Sequence, residues 1–165
     1  MAIVGAHPSL PPRLRGISLF SGAGGLDLGF EAAGFEIAAC LENDPHARET
    51  LSLNRPDWQL TGNGDVTVAK PTEILNIAGL RPTEPDVLLA GPPCQPFSKS
   101  AYWSSGETRR MKDPRAQTIG SLMTFVEDLL PRALIVENVK GIAYRSKNEG
   151  VVTIEERLDE INKKN

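Results

Sequence analysis

The sequence predicts an α/β fold in which helices flank a parallel sheet. Three observations support this. Short apolar runs alternate with stretches of helical periodicity, as in βαβ units. A glycine-rich turn follows the first apolar run, and a proline-cysteine loop follows the fourth. The 165 residues, 40% of them apolar and 24% charged, suit one domain with one core.

Five strands are predicted, each an apolar run bounded by turn or helix signals. They cover residues 15–20, 36–41, 59–61, 86–90 and 133–137. Helical spacing predicts helices over residues 25–33, 45–53, 72–78, 116–129 and 153–164. Residues 1–14 are rich in proline and are interpreted as a flexible lead-in, and residues 15–165 as a single unit.

Composition excludes several classes of protein. No apolar run approaches the ~20 residues that cross a bilayer, so no membrane span is expected. Two cysteines are too few for a disulfide scaffold and fit a reducing cytoplasm. The net charge of −3 argues mildly against nucleic acid. However, residues 99–115 hold five basic and two acidic residues, so positive charge is concentrated there.

A glycine-rich turn, Phe20-Ser21-Gly22-Ala23-Gly24-Gly25, joins the first strand to the first helix, which lets a ligand approach the backbone closely. Glu42 ends the second strand, where a carboxylate can accept hydrogen bonds from ribose hydroxyls. Asp27 stands where the dinucleotide pattern G-x-G-x-x-G has glycine, so a nucleoside cofactor other than a nicotinamide is predicted. The alternative is a turn whose glycines serve packing alone. Asp65 could accept from an adenine amino group, although Gly-Asp is equally a surface turn.

The loop after the fourth strand carries a candidate nucleophile, Cys94. Prolines on both sides keep Cys94 out of a strand, at the edge where an open α/β sheet binds ligands. A thiolate there would be reactive. Cys40 fits the simpler description of a small buried residue. Glu137 closes the next strand and is expected to be partly buried; its alternative role is to cap the following turn.

These residues together resemble the C5-cytosine DNA methyltransferases over residues 16–139. The resemblance rests on three motifs in order, Ser18-Leu19-Phe20-Ser21-Gly22-Ala23-Gly24-Gly25, Gly91-Pro92-Pro93-Cys94-Gln95-Pro96-Phe97-Ser98 and Glu137-Asn138-Val139. It implies a Rossmann-like S-adenosylmethionine-dependent methyltransferase fold with a five-stranded parallel sheet, incomplete at its C-terminal side. Residues 15–165 would then be the N-terminal portion of the catalytic domain, without its target-recognition region.

The resemblance also implies the roles of individual residues. Phe20, Gly22, Gly24, Gly25 and Leu26 would line the S-adenosylmethionine site. Glu42 would hold the ribose, Asn43 would lie beside the adenine, and Asp65 with Val66 would meet the adenine edge. Pro93, Gln95, Ser98, Lys99 and Arg115 would contact DNA that presents a flipped cytosine. Cys94 would add to C6 of that cytosine and Glu137 would assist at N3, so that C5 can take the methyl group.

Some motifs of the family are not found in the sequence, namely Gln-x-Arg-x-Arg and a C-terminal segment bearing asparagine. We therefore expect the chain alone to be inactive and to need a second polypeptide that carries them, as in a split enzyme or a fragment of a longer one. Two alternatives stay open, a truncated non-catalytic fragment and a tRNA cytosine-C5 methyltransferase. The resemblance implies a bacterial cytoplasmic or nucleoid-associated protein.

Overall fold

The computed structural model describes residues 13–93, 117–139 and 149–164. Within them, four strands and five helices follow one another along the chain. Their bounds are β1 (Arg15–Leu19), α1 (Gly25–Ala32), β2 (Glu36–Leu41), α2 (Pro45–Asn54), α3 (Pro71–Ala78), β3 (Val87–Ala90), α4 (Gln117–Leu129), β4 (Leu134–Val136) and α5 (Glu149–Lys164). The predicted helices and four of the predicted strands are confirmed, with ends that differ by a few residues.

The four strands form one parallel sheet in the order β2-β1-β3-β4. The prediction of five strands is wrong by one strand in the described residues, because residues 59–61 make only an isolated parallel bridge between Leu60 and Cys40. The ladder stops there because Gly62 and Gly64 follow with φ of 43° and 81°, a left-handed conformation that cannot continue a strand.

Helices cover both faces of the sheet, which is why its strands are largely apolar. On one face, α3, α4 and α5 bury a core that contains Ile74, Phe125 and Ile161. On the other, Leu51 of α2 and Trp58 pack beside α1. Among the described helices, none is long and apolar enough to cross a membrane.

The sheet is buried at its centre and open at one edge. Residues of β3 are at most 2% exposed, whereas Ile135 in the middle of β4 is 40% exposed. Of the described strands, β4 pairs only with β3. The last strand is therefore an apolar edge strand among the described residues, and Ile135 on it is exposed to solvent.

Candidate cofactor and catalytic site

The carboxyl ends of β1, β3 and β4 meet around one cavity of about 280 Å³. Hydrogen bonds hold them together: Gly91 N–H donates to Leu19 O at 3.3 Å, and Glu137 N–H donates to Ala90 O at 2.9 Å. The residues that line the cavity are Ser18, Leu19, Phe20, Ser21, Leu26, Asp27, Gly91 and Glu137. Three of the predicted site residues, Phe20, Leu26 and Glu137, thus share one cavity.

The glycine turn bends sharply before α1. Gly22 and Gly24 have φ of 55° and 87°, and Phe20 also has a positive φ of 57°. A side chain at Gly24 would place its Cβ 2.8 Å from the Leu51 side chain, so glycine is required there for close packing as well as for conformation. An aromatic residue in the left-handed region is uncommon and strained, and such strain is concentrated at functional sites. Phe20 lines the cavity in this conformation.

Glu42 links β2 to the glycine turn. Its Oε2 accepts from Gly22 N–H and its Oε1 accepts from Asp44 N–H, both at 2.7 Å. The side chain belongs to a residue that is 7% exposed, so these two backbone bonds hold it in place. Each carboxylate oxygen keeps lone pairs for a further donor. Glu42 is therefore fixed beside the turn and can still accept hydrogen bonds.

The segment after the isolated bridge is packed against the backbone of Glu42. A Cβ at Gly64 would lie 1.6 Å from the Glu42 carbonyl oxygen, so only glycine fits. Arg48 of α2 ties the two segments together, since its guanidinium donates to Glu42 O at 2.8 Å and to Gly62 O at 3.0 Å. This clamp holds the end of β2 beside the chain that leads to Asp65.

Three predicted adenine contacts lie outside the cavity lining. Asn43 is exposed. Asp65 accepts hydrogen bonds from the backbone N–H and hydroxyl of Thr67 at 2.8 and 2.7 Å, which makes it the anchor of a local turn. Val66 is 5% exposed and packs in the core. Their predicted contacts with adenine remain predictions, because no cofactor is present.

Glu137 follows β4 directly and reaches the cavity next to Gly91. It is exposed in this chain, so the expectation of partial burial is wrong here. The reason is the open edge of β4, which leaves no described element over Glu137. Asn138 donates from Nδ2 to Pro92 O at 2.9 Å and so fastens the end of β4 to the start of the cysteine loop.

The described backbone reaches Pro93, which is half-buried, and stops one residue before the candidate nucleophile. Cys94, Gln95, Ser98, Lys99 and Arg115 lie outside the described residues. The other cysteine, Cys40, is 1% exposed, and burial together with the charge of Asp27 raises the pKa of its thiol to about 12. Cys40 is thus the buried residue that the sequence predicted and no nucleophile at neutral pH.

Sequence reasoning missed a polar cluster beneath the first turn of α1, formed by Ser18, Ser21 and Asp27. Asp27 served only to exclude a dinucleotide, yet it is fully buried, and neither of its carboxylate oxygens has a hydrogen-bond partner in the described residues. One signal could have revealed it: Asp27 and Phe30 are three residues apart on a helix and so share its inward face.

Comparison with known proteins gives the class of this chain. The family of C-5 cytosine-specific DNA methylases matches residues 14–163. Type II methyltransferase M.AquIA of Picosynechococcus sp. is 42% identical over 138 residues, which are 84% of this chain and 53% of that protein. Type II methyltransferase M.SacI of Streptomyces achromogenes is 37% identical over 142 residues, 79% of this chain and 36% of that protein.

Solved structures agree in fold. A proposed DNA modification methyltransferase encoded within an Escherichia coli prophage superimposes with a TM-score of 0.71 at 30% identity, covering 88% of this chain and 38% of that one. The S. pombe Dnmt2 methyltransferase has a TM-score of 0.64 at 22% identity, covering 90% and 42%.

The chain therefore belongs to the C5-cytosine-specific DNA methyltransferase family, whose cofactor is S-adenosylmethionine. It spans about half the length of M.AquIA and a smaller part of M.SacI.

Proposed function

We propose that this chain carries the cofactor-binding and nucleophile-bearing part of an enzyme that transfers a methyl group to C5 of cytosine in DNA. The observation that supports this most is the meeting of strand ends: the glycine turn after β1, the start of the cysteine loop after β3 and Glu137 after β4 surround one cavity. These are the three segments on which the family resemblance rests.

The described residues fit S-adenosylmethionine. Glu42 is held beside the glycine turn with lone pairs free for ribose hydroxyls. Phe20 and Leu26 supply apolar cavity wall for an adenosyl group, and Asp27 adds a buried carboxyl group that has no hydrogen-bond partner among the described residues. The cofactor, a cation at its sulfur, supplies an electrophilic methyl group.

The chemistry assigned to this chain is that of Cys94 and Glu137. The Cys94 thiolate adds to C6 of a cytosine flipped out of the duplex, while Glu137 supplies a proton or hydrogen bond at N3. C5, now nucleophilic, takes the methyl group. Loss of the C5 proton to a base and departure of the Cys94 thiolate restore the aromatic ring, so that the cysteine is regenerated.

The open edge of β4 supports a further requirement, a complementary segment carried on a second polypeptide or on further residues of a longer chain. Ile135 and Val139 are 40% and 39% exposed on this side, and Glu137 between them is exposed as well. A segment that pairs with β4 would bury this apolar edge and at the same time cover the catalytic carboxylate.

The test is reconstitution. This chain and a candidate complementary segment of a relative are purified separately, and transfer of a radiolabelled methyl group is measured for each alone and for the mixture, on duplex DNA and on tRNA. We expect transfer only in the mixture and only to DNA. Site-specific methylation of DNA by this chain as a purified monomer would contradict the requirement for a complement, and transfer to tRNA alone would contradict the substrate.

Two variants test whether the complementary segment binds at the exposed edge of β4. Ile135→Lys should abolish reconstitution because the charge would be buried against the complement. Ile77→Lys is the matched control, since Ile77 is 45% exposed on α3, and α3 contacts β2 at the other edge of the sheet from β4. Equal loss in both variants would place the contact elsewhere. No transfer in any mixture, together with normal cofactor binding, would favour a non-catalytic fragment.

A further inference from the structure

A buried polar cluster lies between α1 and the sheet, next to the cavity. Ser18 and Cys40 face each other across β1 and β2, and they are 2% and 1% exposed. Asp27 is fully buried, and neither of its carboxylate oxygens has a hydrogen-bond partner within the part of the chain that the structure describes. An unpaired buried carboxylate is costly and unusual in a native protein, so its retention calls for a functional reason.

A hydrogen bond of 2.9 Å joins the hydroxyls of Ser21 and Ser18, and either hydroxyl can be its donor. When Ser21 is the donor, the Ser18 proton is free to turn toward Asp27. The Ser18 hydroxyl lies near enough to Asp27 to lower the pKa of its carboxyl, against the larger rise caused by burial. Ser21 is anchored by its N–H to Leu41 O at 3.3 Å and lines the cavity. With Ser21 as the donor, its hydroxyl oxygen offers lone pairs to a ligand.

The hydrogen-bond acceptors that line this part of the cavity determine which ligand group can bind there. A chain of acceptors that begins at a carboxylate favours a cationic group with protons to donate, and an ammonium group has three donors and no acceptor. The cluster adjoins Gly91 and Glu137, the part of the cavity where the methyl group must meet the base. The methionine half of the cofactor carries that methyl group and also an α-ammonium group.

We propose that Asp27, acting through Ser18 and Ser21, is a positioning residue for the α-ammonium group of the cofactor's methionine half. The inference rests on the proposed function, because it requires S-adenosylmethionine in this cavity. It adds a charge-selective contact to the one proposed for Glu42.

The buried Asp27 carboxyl should also affect the stability of the ligand-free protein, which can be measured. Burial raises the pKa of Asp27, and the Ser18 hydroxyl partly offsets this. The folded state therefore holds the proton more tightly than the unfolded state, and stability falls as the pH rises from the ordinary aspartate range through the raised pKa. Cys40, the titratable neighbour on β2, stays neutral in this range. Asp27→Asn should therefore raise the melting temperature of the ligand-free protein at pH 7.

The experiment compares two ligands by calorimetry on this chain assembled with its complement. One is S-adenosylhomocysteine, and the other is its analogue with hydrogen in place of the α-amino group. Asp27→Asn should weaken the first ligand roughly tenfold, in line with loss of a charge-assisted hydrogen bond, and leave the second nearly unchanged. Ser21→Ala should show the same selectivity. Asp57→Asn, which removes an exposed charge, should alter neither.

The outcomes separate this inference from the proposed function. If wild-type protein binds neither ligand, the proposed cofactor site fails and the inference fails with it. If it binds S-adenosylhomocysteine but Asp27→Asn and Ser21→Ala weaken both ligands equally, or neither, the inference alone is overturned and the cluster is structural. A rise in melting temperature combined with selective loss of the amino-bearing ligand supports it.

Discussion

The two sides of the site differ in how their polar groups are held. On the β2 side, Glu42 is buried, bonded to Gly22 and Asp44, and its backbone is clamped by Arg48. On the β4 side, Glu137 is exposed, and Ile135 beside it is 40% exposed. The first side is preorganised by this chain. The second depends on contacts that the described residues do not make, so cofactor binding and catalysis should respond differently to the same kinds of change.

The largest effect is expected at the catalytic side, where the two cysteines can be compared directly. Cys94→Ser should abolish covalent adducts with DNA containing 5-fluorocytosine, because serine is far less nucleophilic than a thiolate. Cys40→Ser should leave adduct formation largely intact, since the Cys40 thiol is buried with its pKa raised to about 12. Denaturing gels of the reconstituted enzyme measure both. Adducts that persist in Cys94→Ser would show that another residue is the nucleophile.

The next effect tests whether the β2 side is as rigid as its contacts suggest. Gly64→Ala should destabilise the protein by about 4 kcal/mol, because its Cβ would lie 1.6 Å from the Glu42 carbonyl oxygen and its φ is 81°. Gly62→Ala is the control: φ is 43° there, but no atom lies within 4 Å of the added Cβ. It should cost roughly 1 kcal/mol of conformational strain.

Urea unfolding at equilibrium measures the free energy of unfolding of both variants. Similar values for Gly64→Ala and Gly62→Ala would mean that the contact between the two segments yields easily. The β2 side would then be no more preorganised than the β4 side.

The sequence predicted best what depends on local pattern. Apolar runs and helical spacing located α1 to α5 and the strands of the sheet because burial on both faces selects those patterns. The strand predicted over residues 59–61 forms only one bridge, because the positive φ of Gly62 and Gly64 ends its pairing with β2. Whether a short run continues pairing depends on turn geometry, which apolar content does not reveal.

Contacts between residues far apart in the chain could not be predicted from the sequence. The role of Gly64 against Glu42 joins residues 22 positions apart, and no local signal marks it. The unpaired state of Asp27 likewise depends on which strand lies beneath α1. The exposure of Glu137 could not be anticipated from its apolar strand, because exposure depends on what lies beyond the sheet edge.

The smallest expected effect is a loss of cofactor affinity in variants of Glu42. It tests whether this carboxylate binds the cofactor or only stabilises the fold on the β2 side. Glu42→Ala should weaken S-adenosylhomocysteine about tenfold, equivalent to ~1.4 kcal/mol, because the ribose loses a charged acceptor. Glu42→Gln keeps one acceptor oxygen and should fall between wild type and alanine. Glu49→Ala, on the exposed face of α2, is the matched control and should bind normally.

The alanine change also frees the N–H groups of Gly22 and Asp44, so part of its effect could come from the turn itself. The deaminated analogue used for Asp27 resolves this, because it retains the ribose. Glu42→Ala should weaken both ligands equally, in contrast to the selective loss expected of Asp27→Asn. Unchanged affinity for both ligands in Glu42→Ala would show that the preorganised carboxylate serves the fold and does not hold the ribose.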